Sequence, residues 1–107
     1  MSPANEKRRR TRLRDDLRDI ASRPCTVTLS EIKKCWSQLG FFGLEPKDRR
    51  TKEGILFSAK GGIVFGVSDH HRGRSQVKAV YVRTFLEAMK TLGFSSENPE
   101  DEDNDTR

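Results

Sequence analysis

The segment 28–31 constrains the fold of this chain more than any other feature, because its sequence Thr-Leu-Ser-Glu is a helix capping box. In such a box the Thr28 hydroxyl accepts a hydrogen bond from the Glu31 amide, and the Glu31 carboxylate accepts one from the Thr28 amide. Val27 and Ile32 stand at the two positions of a hydrophobic staple. A helix is therefore predicted to begin at Thr28.

The residues after the capping box predict the buried face and the end of this helix. Apolar side chains recur at helical spacing at Ile32, Cys35, Trp36 and Leu39. Gly40 follows and is a natural C-terminal stop. We expect Trp36 and most of the phenylalanines to lie in the core, with Phe41 or Phe42 as candidates for exposure.

Two segments further along the chain predict a β-hairpin. Residues 54–59 alternate, with Ile55 and Phe57 on one face, and residues 63–67 are a short apolar run. A Lys-Gly-Gly turn at 60–62 joins them. The basic stretch 46–52 before the hairpin is predicted to be a loop, and residues 77–80 are the candidate for a short third strand.

Amphipathic helices are predicted on both sides of these elements. The first begins near Asn5, and the last spans about residues 81–92. Their apolar stripes consist of Leu13, Leu17, Ile20 and Ala21 in the first helix, and of Val82, Phe85, Leu86, Met89 and Leu92 in the last. The predicted class is α+β, a small antiparallel sheet covered by helices in the order α-α-β-β-(β)-α. We expect a partly helical basic arm (1–25), an α+β domain (26–94) and a disordered acidic tail (95–107).

The charge of the 107-residue chain is unevenly distributed, although its net value is only +5. Residues 1–23 carry eight Lys and Arg against four Asp and Glu, and residues 24–94 carry twelve against six. Residues 95–107 carry one against six. A basic body attracts polyanions, and the acidic tail either competes with them or keeps the protein in solution.

Three basic segments supply the candidate nucleic-acid contacts. They contain Arg8, Arg9, Arg10, Arg12, Arg14, Lys47, Arg49, Arg50, Lys52, Arg72 and Arg74. Guanidinium groups match the geometry of phosphate, so these segments are expected to contact a nucleic-acid backbone. No aromatic residue is interleaved with them, and no stacking platform for single strands is predicted.

The loop after the hairpin holds the candidate catalytic residues Asp69, His70 and His71. An imidazole can act as general acid or base on a ribose hydroxyl, with Asp69 orienting it and the neighbouring arginines clamping the phosphate. The alternative is a polar loop whose histidines contact phosphate or nothing. We predict no metal and no cofactor, because adjacent histidines rarely reach one ion together.

The block 28–94 resembles the HicA family of small toxin ribonucleases, whose fold is related to double-stranded RNA-binding domains. The shared features are a helix ending in Gly40-Phe41, a basic linker, a hairpin, a loop with histidine and a closing helix that ends at residues 92–94 in Leu-Gly-Phe. The resemblance implies RNA cleavage without a metal and a cognate antitoxin. The family's catalytic Gly-Ser/Thr-His motif is absent from residues 52–57, and His71 lies nearer its second, less essential histidine.

Three hypotheses follow from these observations. The leading one is a nucleic-acid-binding module that contacts RNA, favoured over DNA, through its phosphate backbone. The second is a HicA-like endoribonuclease that uses His70 or His71, and the third is a protein-interaction module with a basic arm and an acidic tail. Whether the chain is an enzyme stays open at this point. No apolar run is long enough to cross a membrane and no signal peptide is recognisable, so a cytoplasmic location is expected.

Overall fold

The computed structural model describes residues 3–68 and 76–95 of the chain. Its elements are α1 (Pro3–Ser22), α2 (Leu29–Ser37), a 3-10 helix η1 (Gln38–Phe42), β1 (Lys47–Arg50), β2 (Gly54–Ala59), β3 (Ile63–Ser68) and α3 (Ala79–Thr91). The three strands form one antiparallel sheet in the order β1-β2-β3. The predicted α+β class and the predicted order of helices and strands are confirmed.

The predicted capping box is present at the start of α2. The Glu31 amide donates to the Thr28 hydroxyl at 3.2 Å, and the Thr28 amide donates to Glu31 Oε1 at 2.9 Å. The predicted stop at Gly40 is wrong, because the chain tightens into η1 after Ser37 and continues through Phe42. Gly43 closes this extension with a φ of 74°, a left-handed conformation that glycine adopts without strain.

The third strand lies elsewhere than predicted. Residues 47–50, which were predicted to be a loop, form β1 and pair with β2. All four of their side chains are exposed, so the segment has no alternation of apolar and polar residues. The strand forms because its backbone hydrogen-bonds to the edge of β2. Residues 77–80 form no strand: α3 begins at Ala79, and Gln76 forms an isolated bridge with Thr28.

Trp36 of α2 lies at the centre of the core, where it packs against the sheet and α3. Only 1 % of its surface is exposed, and its ring contacts Phe57, Phe65 and Phe85 at centroid distances of 6.0, 5.1 and 6.4 Å. Its indole Nε1 donates to the carbonyl oxygen of Ser58 at 3.0 Å, which satisfies the buried polar atom. The prediction that Trp36 and the aromatic residues of the hairpin are buried is confirmed.

Helix α1 packs onto this same core. Leu13, Leu17 and Ile20 are buried in one hydrophobic cluster with the side chains of α2, the sheet and α3, as the predicted stripe requires. Ala21, which was assigned to that stripe, is exposed. Because three buried positions hold α1 against α2, η1 and α3, its polar face has a defined orientation relative to the rest of the domain.

Within residues 3–68 and 76–95, no helix has the length and apolar character that a membrane span requires.

Candidate nucleic-acid interface

The N-terminal half of α1 forms one wall of an open groove. Arg8, Arg12 and Asp16 follow one another at intervals of four residues and therefore form a row along the helix. The opposite wall comes from the end of α2 and from η1. The groove has a volume of about 540 Å³ and is lined by Arg8, Arg9, Arg12, Asp16, Lys34, Ser37, Gln38 and Phe41. We call it the arginine groove.

The arginine groove is strongly positive. Its four cations are Arg8, Arg9, Arg12 and Lys34, and its one carboxylate belongs to Asp16. Asp16 Oδ2 accepts a hydrogen bond from Gln38 Nε2 at 2.9 Å. In the part of the chain that the structure describes, none of the four cations forms an ion pair. Their charges are therefore available to an anion from solution.

Just beyond the opposite end of α1, the basic residue Arg23 is already paired. Arg23 contacts Asp19 at 2.7 Å and also forms an ion pair with Glu31 of α2. Hydrogen bonding from Arg23, together with the Thr28 backbone, lowers the pKa of Glu31 to about 2. Within α1, residues 7–12 carry five Lys and Arg, whereas residues 13–22 carry two Arg against three Asp, so the positive charge is concentrated in the N-terminal half.

Aromatic rings lie beside the arginines of α1. The Arg9 guanidinium carbon is 3.7 Å from the centroid of the Phe41 ring, within the range of a cation–π contact. Arg10 lies 4.7 Å from the Phe94 ring and 5.3 Å from the Phe42 ring. No aromatic residue is interleaved with the basic segments in sequence, yet three phenylalanine rings lie beside two arginines of α1 in the fold. About thirty residues separate Arg9 from Phe41, so only the packing of α1 on η1 brings them together.

The basic residues of β1 lie on a different surface. Residues directly opposite each other in antiparallel strands share a face of the sheet. Phe57 faces the helices, so its neighbours Leu56 and Ser58 face away from them. Lys47 pairs with Ser58 and Arg49 with Leu56, which places both cations on the sheet face that the helices leave uncovered. These cations therefore do not extend the arginine groove.

The other predicted contact residues are distributed between these surfaces and the part of the chain that is not described. Arg14 is half-buried on α1, while Arg50 and Lys52 are exposed at the end of β1 and in the turn after it. The predicted site residues Asp69, His70, His71, Arg72 and Arg74 lie outside the described residues, as does most of the acidic tail. The structure therefore bears on the predicted polyanion contacts of α1 and β1 and not on the histidine loop.

Sequence reasoning missed Lys34, Gln38 and Phe41 as groove residues. Lys34 lies on the exposed face of the amphipathic helix α2. No neighbouring residue in the sequence indicates that an arginine-bearing helix lies opposite it. The signal that existed was the length of the arginine run on α1. Arginines on the polar face of a packed helix lie next to solvent, to a neighbouring element, or to both. Here they border an open groove whose other wall comes from α2 and η1.

The groove has the chemistry of an anion-binding surface. Among residues 3–68 and 76–95, no cluster of three His, Cys, Asp or Glu side chains is placed to hold a metal ion.

Comparison of the chain with protein-family models, with curated proteins and with solved structures finds no match in any of the three.

Proposed function

We propose that this protein binds nucleic acid, RNA in preference to DNA, by holding its phosphate backbone in the arginine groove. The observation that supports this proposal most directly is the set of four cations that face one groove without ion pairs among the described residues. Arginine guanidinium groups donate two parallel hydrogen bonds to one phosphate, which gives geometric as well as electrostatic attraction. A polyanion is the ligand class that such a groove fits.

The spacing along α1 suits a ligand with several phosphates. Arg8 and Arg12 are separated by four residues, which corresponds to a rise of about 6 Å along the helix axis. The two guanidinium groups can therefore contact different phosphates of one strand. Lys34 approaches from the opposite wall and supplies a more flexible point charge. Contacts of this kind carry little base information, so we expect weak sequence preference.

The preference for RNA rests on the resemblance of residues 28–94 to HicA-like proteins, since phosphate contacts alone do not distinguish RNA from DNA. The proposed compartment is the cytoplasm. A fluorescent fusion of the full chain that concentrates elsewhere would contradict that compartment.

The test is fluorescence anisotropy with single-stranded RNA, duplex RNA and duplex DNA of equal length at low and moderate salt. We expect binding, tightest for RNA, that Arg12→Glu weakens strongly. Arg83→Glu is the matched control, because it changes net charge equally from an exposed position on α3. Equal weakening by both variants would show that only net charge acts and would overturn the groove as the site.

The same samples run on a denaturing gel separate the alternatives. Intact RNA under conditions of saturating binding supports a binding module, whereas cleavage that His71→Ala abolishes would establish the endoribonuclease instead. Failure of the wild-type chain to bind any of the three nucleic acids at low salt would contradict the proposal and leave the protein-interaction hypothesis.

A further inference from the structure

Phe41 is an exposed aromatic side chain in the wall of a cationic groove. Its exposed fraction is 46 %, and the other large apolar side chains that are this exposed in the described part of the chain are Val64 and Val80. Of these three residues, Phe41 alone lines the arginine groove. Hydrophobic burial does not explain its position, since a core phenylalanine would be covered.

The guanidinium group of Arg9 lies over this ring. The guanidinium carbon lies 3.7 Å from the ring centroid, and guanidinium is itself a flat, delocalised group that stacks on aromatic faces. Arg9 is half-buried, so its position beside the ring is supported by the surrounding structure. Together the two side chains place a guanidinium group against a partly exposed aromatic ring in the groove.

We propose that Phe41 and Arg9 form a stacking platform for one unpaired base, so that the ligand of the arginine groove is single-stranded RNA. This deepens the proposed function and rests on it. The groove cations Arg8, Arg12 and Lys34 hold the phosphates on either side of the stacked nucleotide. Unpaired bases are bound in proteins by aromatic rings and by arginine planes, which is the pair of groups present here.

Duplex RNA does not fit this arrangement. Its bases are stacked on one another, and its deep major groove is too narrow for side chains to read. A duplex can contact the cations through its phosphates, but it has no free base face to offer to Phe41. One stacked base corresponds to roughly 5- to 150-fold in affinity, so a clear preference for single strands is expected.

The test uses three labelled probes of twelve units each: polyuridylate RNA, an abasic strand with the same phosphates, and an RNA duplex. We expect wild-type protein to bind polyuridylate at least about tenfold more tightly than either other probe. Phe41→Leu keeps an apolar side chain but removes the ring, and it should reduce the affinity for polyuridylate to that for the abasic strand. Phe41→Trp should restore the preference. Val80→Ala, at an exposed apolar position on α3, is the control and should leave it unchanged.

The Phe41→Trp variant also reports stacking directly. The native Trp36 is buried, so its emission should respond little to ligand, whereas an indole at position 41 is exposed in the groove. We expect polyuridylate to quench the added emission and the abasic strand to leave it unchanged at equal saturation.

The outcomes distinguish this inference from the proposed function. If wild-type protein binds all three probes equally, or if Phe41→Leu binds polyuridylate as wild type does, the platform is wrong while phosphate binding stands. Quenching of the added indole by the abasic strand to the same extent would also overturn the platform. Absence of binding to every probe would overturn the proposed function itself.

Discussion

Arg23 donates hydrogen bonds to both carboxylate oxygens of Glu31, the residue that closes the capping box of α2. Arg23 Nη1 lies 3.2 Å from Glu31 Oε1, and Arg23 Nη2 is paired with Glu31 Oε2. Glu31 Oε1 also accepts from the Thr28 amide at 2.9 Å. One carboxylate therefore starts α2 and ties it to the end of α1, the helix that bears the arginine groove.

Because of the Arg23–Glu31 contact, we expect the free energy of unfolding to fall at acidic pH. The pKa of Glu31 falls from its ordinary value of 4.5 to about 2, chiefly through the Arg23 hydrogen bond. Since the folded pKa is the lower one, its contribution is complete above about pH 4.5 and is lost as pH falls towards 2. Glu31 is 37 % exposed, so solvent screening should limit the contribution to about 1 kcal/mol.

Glu31→Gln should remove this part of the pH dependence, measured by urea denaturation between pH 2 and pH 6. Glu53→Gln is the control, because Glu53 is exposed in the turn between β1 and β2. If the free energy of unfolding of the Glu31→Gln variant changes with pH as it does in wild type, the Glu31 carboxylate is not coupled to Arg23 in solution.

Trp36→Ala should destabilise the fold by about 3–5 kcal/mol, enough to unfold much of a domain of this size. The change empties a fully buried site between three phenylalanines and leaves the Ser58 carbonyl without its donor. Chemical denaturation followed by circular dichroism measures the loss. Val80→Ala at the surface should cost less than about 0.5 kcal/mol, and equal losses in the two variants would place Trp36 at the surface.

The two cysteines should differ in reactivity towards a thiol reagent. Cys25 is exposed, whereas Cys35 is buried on the core face of α2, and that burial raises the pKa of its thiol to about 12. We expect one fast equivalent of reaction in native protein and two in denaturant, since the thiolate is the reacting form. Two fast equivalents in native buffer would contradict the position of α2.

Affinity for single-stranded RNA should fall steeply with salt. Each phosphate contact adds about 0.7 to the slope of log K against log salt on a single strand, so the three cations that hold phosphates, Arg8, Arg12 and Lys34, predict a slope near 2. Arg12→Glu should reduce this slope by about 0.7, the contribution of one phosphate contact, while Arg83→Glu should leave it unchanged. A titration from 50 to 300 mM salt measures it, and a flat response would rule out backbone binding.

Removing residues 96–107 should tighten RNA binding if the acidic tail competes for the arginine groove. The described part of the chain ends near α1, because the buried Phe94 lies 4.7 Å from Arg10 of that helix. The six acidic residues of the tail follow Phe94 within eleven positions of the sequence. A full-length variant with these acids changed to amides separates charge from length. Equal affinity in all three proteins would leave the tail as a solubility device.

Local features of the sequence were sufficient to predict most of the secondary structure. The capping box, the alternating residues 54–59, the Lys-Gly-Gly turn and the apolar spacing of α3 each specify their element through neighbouring residues alone. β1 was missed because a fully exposed edge strand has no alternation, and the stop at Gly40 was wrong because a 3-10 turn extends the helix to Gly43. The backbone partners of β1 lie on β2, outside the local segment, whereas the extension to Phe42 is local, since the Gly43 amide donates to the Gly40 carbonyl.

By itself, the sequence determined the charge of the chain, the apolar faces of its helices and the residue types able to hold phosphate. Only the tertiary structure decided where those residues meet: Arg9 on Phe41, Lys34 opposite α1, and Lys47 on the other side of the sheet. The physical reason is that local spacing specifies which face of an element is buried, whereas the packing of apolar faces decides which polar faces become neighbours. A groove between two helices is therefore a property of that packing, and no single segment encodes it.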